Sequence, residues 1–271
     1  MFIERLISGI ILLLIAAFAL VMGGNVLYGI LFVISLIGIY EYGKAVNIQN
    51  TALFGVGCAG AVLYMLSVMF FDEFSFETLM LTLFGMFFAY VILYPKYRIE
   101  QVSLAYLGVI YVPVMLFFMY LTRIMTHGEW LVWLIFISAW GSDTFAYVVG
   151  MLIGRHKLPS KLSPKKSIEG CVGGVVGAAL LGVIYGIVMT KYVNGFVDAP
   201  VIFGVAGAIG SVISQFGDLT ASAIKRNFDI KDYGKLIPGH GGILDRFDSI
   251  IFTAPIVYVI IKIYVYFGGT I

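Results

Sequence analysis

The sequence predicts an all-α, polytopic integral membrane protein with about nine transmembrane helices and a cytoplasmic amino terminus. Three observations predict it. Of 271 residues, 61% are hydrophobic and 12% charged, where a soluble domain carries roughly 45–50% apolar and about 25% charged residues. The apolar residues fall in uncharged blocks of seventeen or more, close to the roughly 20 that a membrane-crossing helix needs. The basic residues also divide unequally between the two sets of connecting loops. Soluble, disordered and fibrous classes are thereby excluded. A net charge of +2 is too mild for a nucleic-acid binder. Cys58 and Cys171 lie in apolar blocks without metal-ligand spacing and read as small packing residues.

The spans follow in order. Residues 6–22 form the first block; Ala17-Phe18-Ala19 resembles a cleavage site, but Glu4 offsets Arg5, so the net positive lead of a secretory signal is missing and a retained span is expected. Residues 24–40 follow almost directly through Gly23-Gly24-Asn25, leaving a hairpin and a re-entrant segment both open. Blocks 51–71, 76–94 and 104–121 complete a first unit, 1–125, of low specificity, suited to lipid or dimer contacts. The second unit, 126–271, holds spans 130–153, 170–190, 200–217 and 250–268, with loops 154–169 and 218–249. Gly173, Gly177, Gly182, Gly186, Gly204, Gly207 and Gly210 suit close helix packing. Nine spans place fourteen of the seventeen Lys and Arg on the amino-terminal side and Arg123 and Lys191 opposite. By the positive-inside rule that side is cytoplasmic.

The polar residues that interrupt these blocks carry the chemistry. Asp143 lies within the sixth span, where a carboxylate costs roughly 2.5–3.5 kcal/mol on insertion scales. Asp218 ends the eighth; if its helix continues, Ser222 and Lys225 or Arg226 share its face at helical offsets. In Pro238-Gly239-His240-Gly241-Gly242-Ile243-Leu244-Asp245-Arg246-Phe247-Asp248, Gly239, Gly241 and Gly242 permit a backbone whose N–H groups face phosphate oxygens. Asp245 and Asp248 then open the last helix, where the bland alternative is a dipole contact. For His240, a phosphate contact and a loop-stabilising hydrogen bond stand equally. Four aspartates, Asp143, Asp218, Asp245 and Asp248, make a hard oxygen donor set suited to Mg²⁺ and not to zinc. Ser163, Lys165 and Lys166 in the other loop suit a polyanion. Serine or cysteine nucleophile arrangements are absent from the sequence. Phosphoryl or nucleotidyl transfer needs none when an ionised phosphate attacks and cations neutralise the repulsion.

From Ser222 through Lys225-Arg226, Lys231-Asp232, Gly234 and Pro238-Gly239-His240-Gly241-Gly242 to Asp245-Arg246-Phe247-Asp248, the chain resembles the phosphatidate cytidylyltransferases, or CDP-diacylglycerol synthases. The family pattern is met throughout these residues. Gly217-Asp218-Leu219, Ser142-Asp143-Thr144 and Ser163-Pro164-Lys165-Lys166-Ser167 are also similar to the family; the first hundred residues match only in hydrophobicity. The resemblance implies that CTP and phosphatidic acid react to give CDP-diacylglycerol and pyrophosphate; the charge bias puts that reaction on the cytoplasmic side of the cell membrane. It implies Mg²⁺, in a pair of ions with potassium as a candidate second, bound by Asp218, Asp245 and Asp248. Catalysis is expected of Asp218, Lys225, Arg226, His240, Asp245, Arg246 and Asp248; substrate contacts of Ser163, Lys165, Lys166, Ser222, Gly239, Gly241 and Gly242. A homodimer is implied by the resemblance alone. An ion or metabolite transporter, or another CTP-dependent lipid kinase, is the alternative.

Overall fold

The computed structural model describes residues 2–71, 74–158, 162–164, 166–193 and 197–269, with the backbone alone for 2–6. Lys165 lies outside the described residues. All regular elements among those described are helical: α1 (Phe2–Met22), α2 (Gly24–Ala45), α3 (Ala52–Phe70), α4 (Ser75–Ile92), α5 (Ile99–Val109), α6 (Met115–Arg123), α7 (Gly128–Leu131), α8 (Trp133–Ile153), α9 (Ile168–Met189), α10 (Ala199–Asn227) and α11 (Leu244–Tyr266). A π turn, Ile110–Val114, carries Pro113 and joins α5 to α6 as one crossing. α7 likewise continues into α8. Pro113 has no N–H for an ordinary helical bond, and a single wide turn accommodates it.

Eight helices among the described residues are long and apolar enough to cross a membrane, against the nine expected; the described apolar part of α1, Ile7–Met22, is shorter. Yet α1 runs the height of the bundle. At its start Ser8 touches Pro238 and His240, and at its end the Leu20 and Val21 carbonyls accept from Arg123. Gly23 turns the chain at φ +59°, where a Cβ would meet the Arg123 guanidinium. α1 and α2 are therefore a helical hairpin.

Two boundaries differ from expectation. Half of the loop expected over 218–249 is helix, because α10 continues to Asn227 and α11 begins at Leu244. Ala221 stays fully buried on that extension, and Lys225 and Arg226 sit in the last turn, where cations oppose the helix dipole. α2 likewise passes residue 40 to Ala45. Glu41 looked like a span end, but it is buried.

The connections alternate between two ends. One end gathers Ser8, Glu41, the 228–243 loop and the start of α11. Ala52 N–H donates to Tyr97 there, joining the α2–α3 and α4–α5 connections. The opposite end joins Arg123 to the α1–α2 turn and Tyr264 to Asp198. Between the ends, α8, α9 and α10 pack through small residues. A Cβ on Gly207 would strike the Ala178 carbonyl, and one on Gly174 the Ser142 carbonyl. The sequence's small-residue stripes serve this packing.

Candidate active site

The site is built where α8, α9, α10 and α11 meet the two polar loops. Asp143 is the middle of α8, ten residues or about 15 Å of helix rise above its end. One residue away its helix is tied to α10, where Ser211 donates to Ser142 at 2.7 Å, and Gln215 Nε2 ties α10 to α9 by donating to the Cys171 carbonyl at 3.1 Å. Asp218 stands one turn after Ser214 on α10, and Asp248 stands on the second turn of α11. Asp218 lies within electrostatic reach of both Asp143 and Asp248. Gly217 lets the helices approach, since a Cβ there would meet the Asp248 carbonyl at 2.8 Å.

Lysines arrive from two directions. In the 154–167 loop, Leu158 N–H donates to the Lys166 carbonyl, and Lys166 N–H to that of Ser163. Glu169 accepts from the Arg155 and His156 N–H groups and pairs with the His156 ring, while Ser167 caps α9 through Gly170 N–H. This framework extends the Lys166 ammonium to Asp218 Oδ2 at 3.0 Å. Ser163 thus supports Lys166 through its backbone. From α10, Lys225 Nζ reaches Asp245 Oδ1 at 2.9 Å and lies over the Tyr233 ring.

Asp245, expected among the metal ligands, has both oxygens engaged within the protein. Oδ2 accepts from Tyr233 N–H at 2.8 Å and Gly242 N–H at 2.9 Å. Its side chain is 4% exposed. Gly242, expected to offer its N–H to substrate, therefore serves the loop. Gly239 and Gly241 adopt φ of +74° and +85°, and His240 shares a hydrogen bond with Ser8 at 2.8 Å. Gly239, Gly241, His240 and Arg246 line a polar cavity of about 420 Å³ with Lys231 and Lys235. Ser222 is half-buried and Arg226 exposed on α10.

A second cavity, about 400 Å³, has Asp143, Lys166 and Gln215 at its polar end and Ala146, Tyr147, Gly150 and Met151 on its wall. Tyr147 and Met151 are exposed on the outer surface of the helix bundle, so the cavity opens sideways toward lipid. As a metal centre, the aspartates offer oxygen donors and no more than a partial cage. Among the described residues, no three His, Cys, Asp or Glu side chains gather closely enough to share an ion. Mg²⁺ usually takes one or two carboxylates and completes its shell with waters and substrate phosphates. Asp218 with Asp143 or Asp248 fits that chemistry.

The cytidylyltransferase family model matches residues 3–264. The chain belongs to this family. It is 32% identical to the phosphatidate cytidylyltransferase of Staphylococcus haemolyticus over 262 residues, covering 95% of this chain and 98% of that one. The enzyme of the same name from Staphylococcus aureus is 35% identical over 61% of each chain, and that from Thermotoga maritima 37% over 48% of each. This family member is a multi-pass membrane enzyme.

Three residues of this cytidylyltransferase's site escaped the sequence reading. Tyr233 lies between Asp232 and Gly234 of the motif, but only the fold puts its N–H on Asp245. Burial and the neighbouring Tyr111, Asp245 and Asp248 also raise its hydroxyl well above the usual tyrosine range. Tyr111 sits in the π turn, buried, with its hydroxyl beside that of Tyr233. Gln215 lay inside an apolar block, and a lone amide there was the available signal.

Proposed function

We propose that this chain condenses CTP with phosphatidic acid, giving CDP-diacylglycerol and pyrophosphate. One observation carries the reading: aspartates from α8, α10 and α11 gather with the Lys166 and Lys225 ammonium groups, and a laterally open cavity reaches this cluster at Asp143 and Lys166. An amphiphile enters such a cavity with its chains toward lipid and its phosphate toward Lys166. The loop cavity bearing Lys231, Lys235, His240 and Arg246 suits the polyphosphate of a nucleotide.

In this reaction an oxygen of the lipid phosphate attacks the α-phosphorus of CTP. The bond from that phosphorus to the bridging oxygen of the β-phosphate breaks, and pyrophosphate leaves with the electron pair. The obstacle is repulsion between two polyanions, and the protein's work is orientation and neutralisation. Lys166 orients the attacking phosphate, exchanging its bond to Asp218 for one to substrate. Arg246 and the loop lysines hold the departing charge. Asp218, with Asp143 or Asp248, would hold Mg²⁺, which supplies further charge neutralisation when bound.

The test uses the full-length protein in detergent with Mg²⁺, phosphatidic acid and CTP labelled at the α-phosphate or, in a parallel assay, at the γ-phosphate. The α-label is expected in the lipid phase, with equimolar pyrophosphate, when both substrates and the divalent cation are present. Label transfer without phosphatidic acid, γ-phosphate in the lipid, or no transfer at all would overturn the reading.

A further inference from the structure

The amino-terminal helices read as an apolar scaffold, yet one of their residues reaches into the catalytic loop. Glu41 lies on α2, 202 residues before its first partner. It is 6% exposed. Oε1 accepts from Ile243 N–H at 3.1 Å and Oε2 from Leu244 N–H at 3.0 Å. A carboxylate buried this deeply requires such donors, and the first turn of a helix leaves N–H groups in need of acceptors. With Gly242 N–H on Asp245, three successive backbone donors are held by two carboxylates.

The surroundings are shaped to the same contact. A Cβ on either Gly234 or Gly242 would run into the Glu41 carboxylate. Two loop glycines are thus required by an acid on another helix. One turn earlier on α2, a Cβ on Gly38 would meet Leu244 Cδ2 at 3.2 Å and Val112 Cγ1 at 2.8 Å, so the fully buried Leu244 nests against α2. Asp245 follows Leu244 directly, and Asp248 is one turn on.

We infer that Glu41 is a positioning residue for the reaction. It pins the start of α11 to α2 and thereby sets Asp245 and Asp248 in register with Lys225 and Asp218 on α10. This rests on the proposed reaction for its catalytic readout, and on amide exchange for a readout independent of it. Glu41→Asp keeps the charge but is one methylene too short to reach both N–H groups. Glu41→Gln keeps one strong acceptor.

In the full-length protein, Glu41→Asp and Glu41→Ala are expected to lower kcat about 10- to 100-fold, with KM for CTP and phosphatidic acid changed less than about threefold. Glu41→Gln should fall between them and wild type. Hydrogen exchange should accelerate in a peptide spanning 240–248 and stay unchanged in one spanning 170–190. Wild-type turnover by Glu41→Asp would show that charge alone matters and overturn the inference. So would unaltered exchange at 240–248, or variants that lose yield and thermal stability while kcat per folded molecule is kept. If the wild type makes no lipid product, the reaction is wrong, and the exchange comparison still decides whether Glu41 holds the loop.

Discussion

Asp218 and Asp245 carry the same side chain on adjoining helices, and their surroundings give them different duties. Asp245 is 4% exposed and takes two N–H groups and an ammonium; Asp218 is 25% exposed and takes one ammonium. Asn at 245 turns an amide donor toward Lys225 or toward the N–H groups, breaking a buried pair, which costs roughly 3–5 kcal/mol. Asn at 218 disturbs a more open pair, worth about 0–1 kcal/mol. Both variants are expected to lose turnover, but only Asp245→Asn should lower the thermal midpoint substantially. Equal stability of the two proteins would refute the distinction. The sequence shows Asp245 and Asp248 three apart and suggests a shared face. Three residues still leave about 60° around the helix, enough to turn Asp245 into the loop and Asp248 toward Asp218. Burial decides between these duties, and burial depends on Tyr233, Gly242 and Lys225 coming together.

Among the elements, α9 carries Lys166 at its threshold, so its seating against α10 controls the Lys166–Asp218 distance. Gly207 and Gly204 test that seating differently. A Cβ at Gly207 meets the backbone carbonyl of Ala178, whereas one at Gly204 meets the Val183 Cγ2 methyl at 2.6 Å. A backbone cannot rotate aside; a side chain has rotamers. Gly207→Ala is therefore expected to destabilise by about 1–3 kcal/mol and to lower turnover, with Gly204→Ala affected less in both. Thermal unfolding and lipid-product assays on the pair check this, and the reverse order would refute it. Glycine spacing made this packing legible in advance. The ends of α2 and α10 were less so, because charge was read as a signal of water, while Glu41 and Asp218 are charges that the protein itself surrounds. The π turn had only Pro113 as its signal, and proline equally predicts a kink or an end.

At the scale of the molecule, the up-and-down path collects Lys96, Arg155, Lys166, Lys225, Lys231 and Lys235 with the site's loops at one end, leaving Arg123 and Lys191 at the other. Membrane insertion retains Lys and Arg in the cytoplasm, so the site end is expected to face inward, toward the nucleotide supply. Single cysteines decide it. With Cys58 and Cys171 replaced by serine, Lys96→Cys should react with a membrane-impermeant maleimide in inverted vesicles and be shielded in right-side-out cells. Lys191→Cys should show the opposite pattern. Both positions are exposed and lie outside the carboxylate cluster, so labelling reports sidedness and not catalytic damage. The same end also receives α1 and α2, whose Ser8 and Glu41 touch the loop. The amino-terminal hairpin is therefore part of the wall around the site, and the reversed labelling pattern would put that wall, and the proposed CTP reaction with it, on the wrong side of the membrane.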